Sequence, residues 1–192
     1  MLIGKKAPHF IAKAFVNGEI EENFSLENFL GSYLLFFFYP LDFTFVCPTE
    51  LHAFQERMGE FEQRGAKIIG CSVDSHFSHK AWHATPKNMG GIEGVSYPII
   101  SDLSKSIAKS YHVLKEDEGI AYRGLFLIDK HGIVRHLLIN DLPLGRSIDE
   151  ALRILDALIF HENHGEVCPA GWLPGKKSMK PTSEGLAAYF AQ

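Results

Sequence analysis

The sequence predicts an α/β fold, a central mixed β-sheet flanked by helices, with a β-hairpin before it and a tail after it. Three observations point there. An apolar run at residues 33–39 has strand length and leads directly into helical periodicity. A second apolar run, residues 67–73, follows that helix, and strand-helix-strand alternation demands parallel strands joined by a right-handed crossover. Two further apolar segments, residues 122–128 and 133–139, are separated only by Asp129, Lys130, His131 and Gly132, a hairpin connection that adds antiparallel strands.

Composition bounds the reading. With 192 residues, 46% hydrophobic and 22% charged, the chain supports one sizeable core and nothing suggests disorder. The net charge of −4 with scattered basic residues leaves no electrostatic footprint for nucleic acid or an anionic membrane. The longest apolar run falls short of the roughly 20 residues a membrane-spanning helix needs. Lys5 and Lys6 are not followed by an apolar signal segment, so a cytoplasmic location is expected. Three cysteines, at 47, 71 and 168, are too few and too odd for a secreted disulfide framework.

Asn17 and Gly18 lie between short alternating segments, the strongest local signal for a tight hairpin. Residues 25–29 read as a helical turn ending near Gly31, before the aromatic strand. From Pro48 onward Leu51, Phe54, Met58 and Phe61 recur at spacings of 3, 4 and 3, one core stripe on a helix that stops at Gly65. After the strand at 67–73, Asp74 or Ser75 caps a helix reaching about Ala84. Residues 88–94 form a loop, and Pro98, Ile99 and Ile100 a short strand. Asp102 then caps a helix whose apolar face is Leu103, Ile107, Ala108 and Tyr111. Residues 115–119 are polar and exposed. Ser147 and Glu150 have capping-box spacing, and Ile148, Ala151, Leu152, Leu155, Leu158 and Ile159 stripe the last helix up to Gly165. Beyond it, Pro169, Gly171, Pro174, Gly175 and Pro181 mark a tail that packs on something rather than joining the sheet. The order β-α-β, an inserted helix, then β-β-α is the thioredoxin-type arrangement.

Cys47 falls at the corner between strand and helix, where helix N-terminal amides point at a bound substrate. A free cysteine ionises near pH ~8.5, so little of the nucleophilic thiolate exists at neutral pH. A helix N-terminus contributes ~0.3–1 kcal/mol, whereas one pKa unit corresponds to ~1.4 kcal/mol, so a nearby cation is required. Arg123, always charged and at the start of an otherwise apolar strand, is the best candidate, and if buried it needs an anionic partner. Thr44, about one turn before Cys47, either bonds the thiolate or a substrate oxygen, or caps the helix. Pro48 fits the first helical turn, where a missing N–H is tolerated, and its ring shields the sulfur. Glu50 is either a surface charge or the group that orients an arginine, with Arg146 a possible partner. Cys71, inside a strand, reads as a structural thiol. Cys168, in the tail, offers a second thiol to resolve an oxidised Cys47.

Together, Pro40, Thr44 and Cys47, the run FVCPTE at 45–50, the strand YRGLF at 122–126 and the tail HGEVCPAGW at 164–172 resemble a typical 2-Cys peroxiredoxin over essentially the whole chain. The resemblance implies reduction of hydrogen peroxide and organic hydroperoxides without a cofactor or metal. It implies Cys47 as peroxidatic cysteine, Thr44 and Arg123 as groups that bind and polarise the peroxide, Pro40 and Pro48 as shields, and Glu50 with Arg146 as the supporting charge network. Cys168 would be the resolving cysteine, coming from the partner subunit of a homodimer, and five dimers would form a decamer. Residues 1–164 would be the peroxidase domain and 165–192 the tail. Thioredoxin or a similar dithiol donor would reduce the disulfide. Gly90 and Gly91, with the pair Tyr189 and Phe190, match the features of members sensitive to overoxidation, while Glu93 stands where a further glycine is expected. Intermediate to high sensitivity is expected.

Other readings are weaker. A thioredoxin-like oxidoreductase normally carries C-x-x-C, but Pro48, Thr49 and Glu50 follow Cys47. No two cysteines are close in sequence and the histidines are scattered, against a metal module. No arginine follows Cys47 as a phosphatase loop requires. An oligomeric redox sensor or holdase using the same cysteine is the non-enzymatic alternative.

Overall fold

In the computed structural model, which describes residues 1–191, the Asn17 and Gly18 signal becomes a hairpin of β1 (Ile11–Val16) and β2 (Glu19–Ser25). Both turn residues have positive φ, 50° and 91°, as such a turn requires. The aromatic run forms β3 (Tyr33–Phe38), buried along its length. The single helix expected up to Gly65 is instead two. α1 (Val46–Glu56) and α2 (Met58–Gln63) meet at Arg57, which has φ −103° and ψ 5°. Gly59, a poor helix former, follows the break, and Met58 is left half-buried while Leu51, Phe54 and Phe61 are fully buried.

Next come β4 (Ala66–Ser72) and α3 (His76–His83), whose Ser78 amide donates to the Ser75 hydroxyl cap at 3.2 Å. After β5 (Ile99–Ser101), α4 (Ser106–Ser110) is shorter than expected. Asp102 caps it from a distance, its buried carboxylate accepting from the amides of Ile107 at 3.1 Å and Ala108 at 2.7 Å. The chain turns through Lys105 (φ 62°) before the helix starts, so Leu103 lies outside it and is 65% exposed, not on its apolar face. A short pair, β6 (Leu114–Lys115) and β7 (Ile120–Ala121), flanks exposed Glu116, Asp117 and Glu118. β8 (Arg123–Ile128) and β9 (Val134–Asn140) form the expected antiparallel pair.

The seven-stranded sheet runs β2-β1-β5-β4-β3-β8-β9. β3, β4 and β5 are parallel and the remaining pairings antiparallel, the mixed sheet expected. Successive side chains of β3 face opposite sides. Phe36 meets Tyr111 edge-on at 5.0 Å between ring centroids, whereas Phe37 stacks on Phe54 of α1 at 4.6 Å. Gly70 lies across from Phe37, and a Cβ there would sit 3.1 Å from its ring. This packing sets α1 against β3 and so fixes where its first turn starts.

All of these elements belong to the unit Met1–Arg146; a second unit is Ser147–Gln192. In it α5 (Ile148–His164) starts with the Glu150 amide donating to Ser147 Oγ at 3.2 Å and ends at Gly165 (φ 68°). The tail carries a backbone bridge between Val167 and Met179 and buries Trp172, whose ring lies 4.8 Å from Phe160. It ends in α6 (Ser183–Phe190), a helix within the stretch that the sequence marks only as a tail outside the sheet. Among the described residues no helix is long and apolar enough to cross a membrane.

Candidate active site

Cys47 is the second residue of α1 and has no exposed surface. Arg123, the first residue of β8 and 3% exposed, directs Nη1 at its sulfur from 3.4 Å. The same nitrogen donates to Glu50 Oε2 at 2.7 Å, and Nε donates to the Leu142 carbonyl at 2.6 Å. Arg146 holds the other side of Glu50. Its backbone N–H and its Nε donate to Oε1 at 2.8 and 2.7 Å, and Nη2 donates to Oε2 at 2.8 Å. Nη1 of Arg146 is taken up by the carbonyls of Phe38 at 2.8 Å and Gly124 at 2.6 Å. Gly124 has no room for a side chain, since a Cβ there would lie 2.7 Å from Val113 Cγ1.

Two guanidiniums thus share one carboxylate. Burial alone would raise the Glu50 pKa, but the charge and hydrogen bonds of Arg146, and then Arg123, hold it below the ordinary carboxylate value. One positive charge remains in excess, and its donor faces the Cys47 sulfur. Glu50 is therefore buried and not a surface charge, and Arg146 is paired with it.

Thr44 neither caps the helix nor donates to the sulfur. Its hydroxyl donates to the Leu41 carbonyl at 2.9 Å, and the helix N-cap, Phe45, has no side-chain bond. Thr44 nonetheless lines a cleft of about 480 Å³ together with Pro40, Leu41, Phe45, Ile120 and Arg123. Pro48 is buried beside Cys47 in the first turn. A separate cavity of about 790 Å³, lined by His9, Lys13, His76 and Asp102 among others, has no thiol among its lining residues.

Sequence reasoning missed the anchor of the loop carrying Thr44. Asp42 is buried, accepts from Tyr39 OH at 2.8 Å and lies 2.8 Å from His79 Nδ1. His79 Nε2 lies 3.2 Å from the Ile100 carbonyl. An apolar neighbourhood around a polar loop residue was the available signal.

Cys71 is buried, and burial, then the charge of Asp102, push its thiol well up, as suits a structural residue. Cys168 belongs to the second unit, half-buried, with its sulfur 3.6 Å from the Ala157 carbonyl. Burial raises its pKa despite the nearby Arg153 charge. Gly90 (φ 78°) and Gly94 (φ 89°) take the positive φ angles of the glycine loop, while Glu93 is exposed and avoids them. Tyr189 and Phe190 end α6 with ring centroids 5.2 Å apart.

A mixed sheet of thioredoxin type, with a buried, arginine-bound cysteine opening a helix, defines a thiol oxidoreductase. The chain belongs to the AhpC/TSA family, whose model matches residues 3–137, and is a peroxiredoxin; residues 157–192 match the C-terminal domain of 1-Cys peroxiredoxin. Over 190 residues it is 54% identical to Peroxiredoxin-1 of Gallus gallus, covering 99% of this chain and 96% of that protein. It is 50% identical over 190 residues to a thioredoxin peroxidase of Echinococcus granulosus, with 99% and 98% covered. The reduced 2-Cys peroxiredoxin of Plasmodium vivax superposes with a TM-score of 0.97 at 47% identity, all of both chains covered.

Proposed function

We propose that Cys47 is the peroxidatic nucleophile of this peroxidase and Cys168 its resolving partner. The observation that carries this reading is the Arg123 guanidinium 3.4 Å from the Cys47 sulfur, held there by Glu50 and Arg146. Peroxide enters the cleft between Thr44 and Arg123. The Cys47 thiolate attacks one peroxide oxygen, the S–O bond forms as the O–O bond breaks, and the departing oxygen takes a proton to leave as water or alcohol. Arg123 meets the charge developing on oxygen. The Thr44 hydrogen is committed to Leu41, so its oxygen serves as acceptor for the peroxide O–H. Pro40 and Pro48 keep bulk water from the sulfur. The cleft's apolar lining admits organic hydroperoxides as well as hydrogen peroxide.

The Cys168 thiol then attacks the sulfenic sulfur, a disulfide forms and water leaves. Burial holds the Cys168 thiol above the ordinary cysteine value, which favours its protonated form. A disulfide needs Cα atoms about 4.4–6.8 Å apart, and Cys47 is sealed in the first turn of α1, so that turn must unwind. Residues 1–164 carry the peroxide chemistry and the tail 165–192 supplies the second thiol, from the partner subunit of a homodimer that assembles into a decamer. Thioredoxin or a similar dithiol donor reduces the disulfide by exchange in the cytoplasm.

The test is peroxide turnover with a thioredoxin system. Cys47→Ser is expected to fall to background, and Cys168→Ser to consume one equivalent of peroxide and stop. Full turnover by Cys47→Ser would overturn the assignment, and a single stoichiometric oxidation by the unaltered protein would make it a sensor.

A further inference from the structure

His52, on the second turn of α1, is 8% exposed and its Nε2 lies 3.0 Å from the carbonyl oxygen of Gly91. A carbonyl only accepts, so Nε2 carries the hydrogen. The glycine loop it reaches is rigidly held. The Trp82 indole N–H donates to the Gly90 carbonyl at 2.8 Å, the Gly91 amide to Pro86 O at 3.0 Å, the Ile92 amide to Trp82 O at 3.1 Å and the Glu93 amide to Thr85 O at 3.2 Å. Gly91 itself is pressed so close that a Cβ would stand 1.9 Å from the Thr85 oxygen. The loop is therefore a fixed post built on the end of α3, and the histidine ties α1 to it.

We propose that His52 is a latch on the helix that carries Cys47, slowing its unwinding and so setting how the oxidised cysteine partitions. This rests on the proposed catalytic cycle. With the latch closed, the sulfenate stays in its pocket, where a second peroxide can transfer one oxygen to the sulfur and leave as water or alcohol, giving the sulfinate. With the latch open, the first turn unwinds sooner and Cys168 forms the disulfide instead. His52 bonds Gly91 and not the sulfur and is a positioning residue; Glu93, two residues beyond the anchored carbonyl, is exposed and keeps its amide on Thr85 O, so it leaves the post intact.

The test compares the full chain with His52→Leu, which keeps bulk but removes the donor, and His52→Gln, which restores one. His52→Leu is expected to oxidise Cys47 at the unaltered rate, yet to need about two- to tenfold more peroxide for half conversion to the sulfinic acid, the weight of one buried hydrogen bond. His52→Gln should return toward the unaltered value. A second readout needs no turnover: in the reduced protein, amides 49–52 should exchange with deuterium faster in His52→Leu by a similar factor. Unchanged peroxide sensitivity with unchanged exchange would overturn the latch, as would His52→Gln behaving like His52→Leu. Absent turnover in the unaltered protein would instead refute the catalytic cycle, while the exchange measurement still decides whether the latch exists.

Discussion

At the scale of single residues, Arg123 is the part that cannot be exchanged for another cation. Its Nε is bound to Leu142 O, and its Nη1 serves both Glu50 and the Cys47 sulfur. A lysine has one nitrogen at the end of a flexible stem and cannot hold the carbonyl on one side while donating to sulfur on the other. Hydrogen bonds to charged groups are worth about 1.5–3 kcal/mol, so Arg123→Lys is expected to slow oxidation of Cys47 by roughly ten- to a hundredfold. Stopped-flow mixing with peroxide reads that rate directly. A rate within about twofold of the unaltered protein would show that charge alone suffices and that the fork geometry is irrelevant.

At the scale of elements, the site is where three segments meet: the first turn of α1, the start of β8 and the loop after β9. Stacking of Phe37 on Phe54 places the first, and pairing of β8 with β3 places the second. The glycine loop is a neighbouring segment, held by two hydrogen bonds to Trp82 of α3 and two to Thr85 and Pro86 just after it, but offering no space at Gly91. Gly91→Ala would drive a methyl group into the Thr85 backbone, which cannot swing aside as a side chain can. The expected cost is about 1–3 kcal/mol of stability, measured by denaturant unfolding at fixed protein concentration. Because the Trp82 indole is bonded to the neighbouring Gly90 carbonyl, a shift in tryptophan emission should accompany it. An alanine variant with unaltered stability and emission would mean the loop is loosely seated, and the post on which His52 pulls would go with it.

At the scale of the molecule, what the sequence disclosed follows from what side-chain chemistry can encode. The strands β3, β4 and β8 were legible because unbroken apolar runs have few other places to go, and the Asn17-Gly18 hairpin because its backbone demands those residues. Arg123 was legible as a charge opening an apolar strand, whereas Glu50 by its own pattern read equally well as a surface charge and took its role only from the family resemblance. The carbonyls of Phe38, Gly124 and Leu142 that complete the cluster were not, since every residue owns one. The break at Arg57 was hidden because one helix and two satisfy the same apolar spacing, and His52 and His79 because isolated histidines carry no pattern. The cluster itself binds the fold together: the Glu50 carboxylate joins α1 to β8 and to the chain after β9, and Arg146 extends the link to the end of β3. Glu50 titrates lower in the folded chain than unfolded, because its arginines outweigh the effect of burial. The unfolded chain then binds the proton more readily, so the contribution of Glu50 is complete above the unfolded value of about 4.3 and is lost as pH falls toward the folded one. Glu50→Gln lacks that contribution at every pH and leaves two buried guanidiniums short of an anion, so near neutrality it should be less stable by about 3–5 kcal/mol. Acidification should narrow the gap, because the unaltered protein loses stability that the variant never had. Denaturant unfolding of both proteins at neutral pH and at about pH 4 and 3 reads the difference, and a gap that stays constant across that range would reduce Glu50 to a spacer whose charge does no structural work.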